Sequence, residues 1–228
     1  GDLLAVDIGT TTVAAFLLDG KTGTQLATAS LLNPQTSYGA DVISRIQAAM
    51  DGSLEDLQRL ITDGVDALVK MLCEKADRSP ADIGVVSLVG NPAMQQLFLG
   101  LDPKNLAAVP FDPVLTETKL VIAKDFLPTC ENATLLVVPD IAGYVGADTV
   151  GAVLATKLDS ADDNVLLVDI GTNGEMVLRA NGRMAACSTA AGPALEGAKI
   201  TFGMRGAPGA IDKVWLKDGE VRFHVIGD

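Results

Sequence analysis

Basic residues are scarce in these 228 residues: 17 Lys and Arg stand against 29 Asp and Glu, a net charge of −12. Nucleic-acid surfaces are built from Lys and Arg, so the balance argues against that class of partner. A phosphate bound here has to rest on backbone N–H groups and a metal. Cysteine is scarce as well. Cys73, Cys130 and Cys187 lie far apart with no C-x-x-C pair. An iron–sulfur cluster held by this chain alone is thereby excluded, because a cluster needs about four thiolates at tight spacing. A disulfide framework does not suit a chain with this much apolar material, and the thiols are expected as buried small hydrophobes in a reducing, cytoplasmic compartment. No apolar run approaches about 18 residues, so no membrane span is expected. Nor does a basic n-region with an apolar h-region open the chain. One histidine, His224, and one tryptophan, Trp215, are present; both are expected to serve local structure. What the chain has in quantity is apolar residues (48%) and glycine (23). That composition excludes a disordered chain and supports one large domain or two lobes. The chain opens on Gly1-Asp2 without Met and stops just after an alternating run, so both ends read as cuts from a longer polypeptide.

The order of elements follows from runs and breakers. Leu3 to Val6, Val13 to Leu18 and Gln25 to Leu32 are apolar or alternating runs separated by Gly/Thr and Asp-Gly turns, which predicts three antiparallel strands. Asn33-Pro34 ends the third. Helical spacing runs from Ala40 to Met50, and Asp51-Gly52 interrupts it. Ser53 and Asp56 resemble a helix-start box. Leu57, Ile61, Val65, Leu68, Val69 and Leu72 then recur at the helical period. Ile83 to Val89 reads as a buried strand, and Asn91-Pro92 as the cap and first residue of a helix. Residues 101 to 118, with three prolines, read as loop. Leu135 to Val138 is a strand, and Ile141 to Leu158 a Gly/Ala-rich helix. After a polar break at Asp159 to Asp163 the opening pattern returns: an apolar run from Val165, a turn, a strand from Glu175, an Asn181-Gly182 hairpin turn and a strand from Met184. A helix is expected from Gly192 to about Phe202, then a hairpin over Ile211 to Ile226 around Asp218-Gly219. Asp-Ile-Gly-Thr occurs twice, at Asp7 and at Asp169, each time between an apolar strand and a second strand. Repeated context points to an internal duplication, with lobes 1–160 and 161–228.

A strand–tight turn–strand with glycine at its apex exposes consecutive N–H groups, and threonine hydroxyls add donors, making an anion cradle that needs no lysine. An acceptor-only aspartate at each strand end suits hydrated Mg²⁺, which takes one or two carboxylates. The same residues also make an ordinary Asp/Thr turn, and the second copy is what favours the cradle. Two lobes whose turns face one another across a cleft, with phosphates between them, are the expectation.

The segment Val6-Asp7-Ile8-Gly9-Thr10-Thr11-Thr12 resembles the first phosphate motif of the acetate and sugar kinase, heat-shock chaperone and actin superfamily. Val168-Asp169-Ile170-Gly171-Thr172-Asn173-Gly174-Glu175 resembles the second. The fold this implies is α/β, a pair of ribonuclease-H-like lobes that close on Mg·ATP, with the first lobe complete and the second partial. Four further segments narrow the resemblance: Asn33-Pro34-Gln35 with Tyr38 to Ile46; Val89 to Met94 through Leu97 to Leu101; Pro139-Asp140-Ile141-Ala142-Gly143 to Asp148; and Ala191 to Ala198 with Gly206 to Ile211. Together they look like the ATPase domain of the reductive activators of corrinoid proteins.

That resemblance implies ATP and Mg as cofactors, and a 2Fe–2S ferredoxin domain expected only in a missing N-terminal part. It implies ATP-driven reduction of an inactive Co(II) corrinoid to Co(I) on the corrinoid protein of a methyltransferase system. Carried over by position, Asp7, Gly9, Thr10, Thr11 and Thr12 with Gly171, Thr172, Asn173 and Gly174 hold phosphate. Asp7 and Asp169 hold the metal, and Asp140 and Asp169 are the catalytic candidates, Asp140 orienting the attacking water. A helix-cap role for Asp140 stays open. So do a strand-surface role for Asn173 and Glu175 and a helix-start role for Ser188 and Thr189. Gly143 and Gly146 are expected to let a helix pack closely. A small-molecule kinase and a nucleotide-gated interaction module without turnover are the alternative functions. An exposed sheet edge in a partial second lobe makes a homodimer a further expectation.

Overall fold

The structure, a computed structural model, describes residues 1–171, 173–190, 201, 203–204 and 208–227. They divide into two units, Gly1–Lys157 and Leu158–Asp228.

The first unit is built on a six-stranded mixed sheet. Strands β1 (Asp2–Ile8), β2 (Thr12–Leu18) and β3 (Gln25–Leu32) form an antiparallel meander. Strand β4 (Ile83–Gly90) adds parallel to β1, and β6 (Thr134–Val137) parallel to β4. Strand β5 (Lys119–Ile122) closes the edge antiparallel to β6, giving the order β3-β2-β1-β4-β6-β5. Period-two alternation sends Leu4, Val6 and Ile8 inward and leaves Asp7 on the open face, as a half-buried strand requires.

The helices supply the matching apolar faces. Helix α1 (Val42–Ala48) starts at Asp41, whose carboxylate accepts the Ser44 N–H at 2.8 Å. A π-type turn (Ala49–Ser53) follows, with Gly52 at φ 101°. Helix α2 (Leu54–Ala76) then buries Leu57, Ile61, Val65, Leu68, Val69 and Leu72, the stripe expected from its 3.6-residue period. Each such side chain contributes about 1.5 to 3 kcal/mol of burial. The expected Ser53 start box does not form. Ser53 sits at φ −95°, ψ 16° with no capping bond, outside the extended region a cap needs. Asp56 instead accepts from Arg59 and Tyr38. Helix α3 (Pro92–Phe98) is capped by Asn91, which accepts the Met94 N–H at 3.1 Å.

Two expectations change here. The helix expected from Ile141 begins only at Ala147 and runs to Thr156 (α4), because 141–146 form a small bridged turn, Ala142 against Val145. A Cβ on Gly143 would lie 1.9 Å from the Phe111 carbonyl, so this turn is pressed onto backbone where a helix has no room. Strand β5 was absent from the expected elements, and the loop region 101 to 118 contains one short 3-10 turn, Pro103–Leu106.

In the second unit, β7 (Val165–Ile170), β8 (Gly174–Ala180) and β9 (Arg183–Thr189) form an antiparallel meander. Strands β10 (Ile211–Lys217) and β11 (Glu220–Val225) form a hairpin. Asn181-Gly182 and Asp218-Gly219 all have positive φ, the geometry of a two-residue hairpin turn. The helix expected from Gly192 to Phe202 falls outside the described residues except at Thr201. Among the thiols, Cys73 and Cys130 are buried as expected, and burial pushes the Cys130 thiol up to about 12. Cys187, on β9 at the edge of its sheet among the described residues, is exposed, against expectation. No described helix is long and apolar enough to cross a membrane.

Candidate functional site

The parallel strands β1, β4 and β6 end on the same side of the first sheet, and the candidate residues of this unit gather there. Such carboxyl ends are the usual ligand edge of an open α/β sheet. The first turn links Ile8 to Val13, which pair across β1 and β2. Gly9 has an ordinary φ, so its reason is space: a Cβ there would lie 2.5 Å from the Thr12 carbonyl oxygen. Asp7, exposed on β1, pairs in register with Val89 of β4. Gly151 of α4 faces that Val89: a Cβ on it would lie 3.8 Å from the Val89 Cγ1, an ordinary contact. Helix α4 is preceded by its cap, Gly146, where a Cβ would sit 2.6 Å from the Gly90 carbonyl oxygen. The expected close approach of the helix holds at Gly146, its cap, against the end of β4; Gly143 lies outside the helix, in the bridged turn, against the Phe111 backbone.

The turn is held from behind by side chains distant in sequence. Asn33 Nδ2 donates to the Gly9 carbonyl at 2.8 Å, and the Asn33 N–H donates to the Thr11 carbonyl at 2.8 Å. Arg45 Nη2 donates to the Thr10 carbonyl at 2.6 Å, its Nε to the Gly39 carbonyl at 3.0 Å, and its Nη1 to the Met94 thioether at 3.2 Å. Asn91 Nδ2 donates to Thr10 Oγ1 at 3.0 Å. Arg45 and Asn33 are both fully buried. Burial pulls the Arg45 guanidinium down to about 10, against the opposing charge of Asp41, so it stays cationic at neutral pH. None of these three was expected as a site residue. The available signal was Arg45 itself, a charge on the buried stripe of α1 between Val42 and Ala49.

Asp140 lies just beyond β6, its N–H donating to the Leu115 carbonyl at 2.7 Å. The residue is 5% exposed, and both carboxyl oxygens are buried without a hydrogen-bond partner. Burial pushes it up to about 8. The nearby Ala147 N–H opposes this without reaching hydrogen-bond geometry, and Asp148 adds to it. The cap of α4 is Gly146, so Asp140 is not the N-cap. An unsatisfied buried carboxyl is costly to keep and suits a proton-transfer or water-orienting group working near pH 8.

The second turn, in the second unit, joins Ile170 to Gly174, one residue shorter than the first. The Gly171 N–H donates to the Asn173 carbonyl at 3.0 Å. Asp169 is exposed on β7 and pairs in register with Glu175 of β8. Ser188 Oγ donates to Glu175 Oε1 at 3.0 Å. Ser188 and Thr189 lie on β9, so they belong to a strand and not to a helix-start turn. Gly174 is buried at the start of β8, and Thr172 lies outside the described residues. His224 Nδ1 lies 2.5 Å from Asp212 Oδ1 on the hairpin, and this pairing holds the Asp212 carboxyl low. Its role is local, as expected.

The residues fit a magnesium–nucleotide group. A cradle that a Cβ would obstruct, a turn whose carbonyls are taken from behind and an orphaned buried carboxyl are all present at one sheet edge. Mg²⁺ needs only one or two carboxylates beside phosphate and water.

The family model described as the RACo middle region matches residues 3–161, and that of the C-terminal domain of RACo, the ASKHA domain, matches 163–228. The corrinoid activation enzyme RamQ of Eubacterium limosum is 39% identical over 227 residues, 98% of this chain and 38% of the relative. The [Co(II) methylated amine-specific corrinoid protein] reductase of Methanosarcina barkeri is 26% identical over 221 residues, 91% of this chain and 39% of the relative. The solved reductive activator for corrinoid, iron-sulfur protein superposes with a TM-score of 0.89 at 35% identity, covering 99% of this chain and 37% of that one. The chain therefore spans under two-fifths of the length of the proteins it matches.

Proposed function

The chain belongs to the RACo family of corrinoid-protein reductive activators, and we propose that it is the nucleotide-handling part of such an activator. In this reading ATP drives the reduction of an inactive Co(II) corrinoid on a methyl-transfer protein, and the electron comes from an iron–sulfur group outside this chain. The fold is the mixed α/β fold of the ASKHA, actin-like ATPase type. The observation that carries the reading is the doubled Asp-Ile-Gly-Thr turn between antiparallel strands, with the first copy braced from behind by Asn33 and Arg45.

Phosphate oxygens are bound by the N–H groups of the turn residues Gly9 to Thr12 and by the turn at Gly171, Thr172, Asn173 and Gly174. Backbone donors suit an anion in a chain of net charge −12. Asp7 and Asp169 hold the metal, which when bound supplies charge neutralisation of the transferring phosphoryl group. Asp140 orients the attacking water and accepts its proton once ionised. Its burial keeps the proton on at neutral pH until a cation arrives nearby.

The test is ATP-dependent reactivation in the full-length activator with its corrinoid protein. Asp7→Ala and Asp169→Ala are each expected to abolish Co(I) formation, read by the corrinoid absorbance, while leaving the chain folded. Full activity in both variants would overturn these roles. Phosphotransfer to a small acceptor, with no effect on corrinoid, would favour a kinase instead.

A further inference from the structure

The charge of Arg45 meets no directly bonded opposite charge in the fold. Its side chain is fully buried on the inner face of α1, and no carboxylate lies within 4.0 Å of it among the described residues. Its partners are two carbonyls and a thioether, which carry no formal charge. Asp41 acts on it only from beyond 4.0 Å, and a buried cation with no directly bonded counter-charge is costly for a core to hold. An uncharged donor such as Gln could satisfy a carbonyl at less cost.

The place of this charge is informative. Arg45 Nη2 meets the Thr10 carbonyl at the apex of the first turn, and Asn33 takes the carbonyls on either side, those of Gly9 and Thr11. In a trans peptide the N–H points opposite to the carbonyl. Three carbonyls held inward therefore turn the N–H groups of the following residues outward. The N–H groups of Thr10 and Thr11 have no hydrogen-bond partner among the described residues. Donors face out, and a positive charge sits directly behind them.

We propose that Arg45 is a positioning residue for phosphate: with Asn33 it holds the carbonyls of the first turn inward, and its buried guanidinium takes the bound polyphosphate as its counter-ion. The inference rests on the phosphate-binding reading of this turn and adds the source of its charge. Preorganised dipoles and a fixed cation in a water-poor setting bind an anion more strongly than flexible surface lysines do. The interaction strengthens with the charge of the ligand, because each added phosphate brings more negative charge to the same fixed cation.

The experiment titrates the 228-residue chain with Mg²⁺ and, in turn, orthophosphate, pyrophosphate and tripolyphosphate, for wild type, Arg45→Lys and Arg45→Gln. Amide ¹H–¹⁵N shifts of residues 9 to 12 are recorded in parallel. Wild-type affinity is expected to rise along the series. Arg45→Lys keeps the charge and is expected to keep the rise, at lower absolute affinity. Arg45→Gln is expected to flatten it, losing about tenfold or more for tripolyphosphate and little for orthophosphate. The Thr10 and Thr11 amides are expected to shift in Arg45→Gln even without ligand. A wild-type rise in Arg45→Gln overturns the proposal, as does equal weakening of all three ligands in both variants, the signature of a merely structural arginine. If Arg45→Gln does not fold, a flat series in Arg45→Lys overturns it by itself. A wild-type chain that binds none of the three ligands overturns the phosphate reading of the turn itself, and the proposal with it. That result is distinct from normal wild-type binding with unaltered variants, which removes Arg45 alone.

Discussion

Replacing Asp140 by Asn isolates the energy of one buried acid. The residue is 5% exposed with both carboxyl oxygens buried and unpaired, and it holds its proton to about pH 8, against 3.8 for a free side chain. Between those values the folded chain carries one more proton than the unfolded chain. Stability must then fall as pH rises, by about 1.4 kcal/mol per unit, up to about 6 kcal/mol in all. Above about pH 8 both states have released the proton and the slope vanishes. Asn has nearly the same shape and no proton to lose, so Asp140→Asn removes this contribution. Urea denaturation of both proteins at pH 5, 7 and 9, without nucleotide, reads it directly. The variant is expected to gain about 3 kcal/mol on wild type between pH 5 and 7, with little further gain past pH 8. Parallel stability profiles would refute the reasoning, since they would mean that Asp140 titrates alike in both states.

Gly9→Ala places a methyl group 2.5 Å from the Thr12 carbonyl oxygen. It is expected to cost about 1 to 3 kcal/mol of stability and to weaken Mg·ATP binding by about tenfold or more, read by thermal melts and calorimetry. Asp66 is pushed up by burial, but bonds from Lys70 Nζ (2.8 Å), Thr129 Oγ1 (2.6 Å) and the Thr129 N–H (3.0 Å) outweigh this and hold it low. Its stabilisation is therefore present above the ordinary carboxylate value and lost as pH falls through the lowered one. Asp66→Asn should cost about 2 kcal/mol at pH 7 and approach wild type in acid, as denaturation at pH 7 and pH 3 would show.

The turns, the α2 stripe and the hairpins were legible because their causes are local. Asp-Ile-Gly-Thr, a 3.6-residue apolar period and Asn-Gly or Asp-Gly pairs act over a few neighbouring residues. What sequence could not show depends on distant chain. Strand β5 has four residues, with Leu120 and Ile122 facing solvent, and exists because β6 offers it an edge. Residues 141–146 read as the start of the Gly/Ala-rich helix, yet two of them are glycines, Gly143 lies against the Phe111 carbonyl, and the helix waits until Ala147. The brace behind the first turn joins Gly9 to Asn33 across 24 positions, Thr10 to Arg45 across 35 and Thr10 to Asn91 across 81. Asp140 was picked out by position, but its burial and unpaired oxygens are properties of the packed loop around it.

Calorimetric titration of Mg·ATP into this chain, with Asp7→Ala alongside, tests the central claim most directly. Saturable binding in wild type that disappears in Asp7→Ala is the predicted result. Binding of equal strength in both, or heat in neither, would contradict the assignment of the first turn as a working phosphate site in this chain.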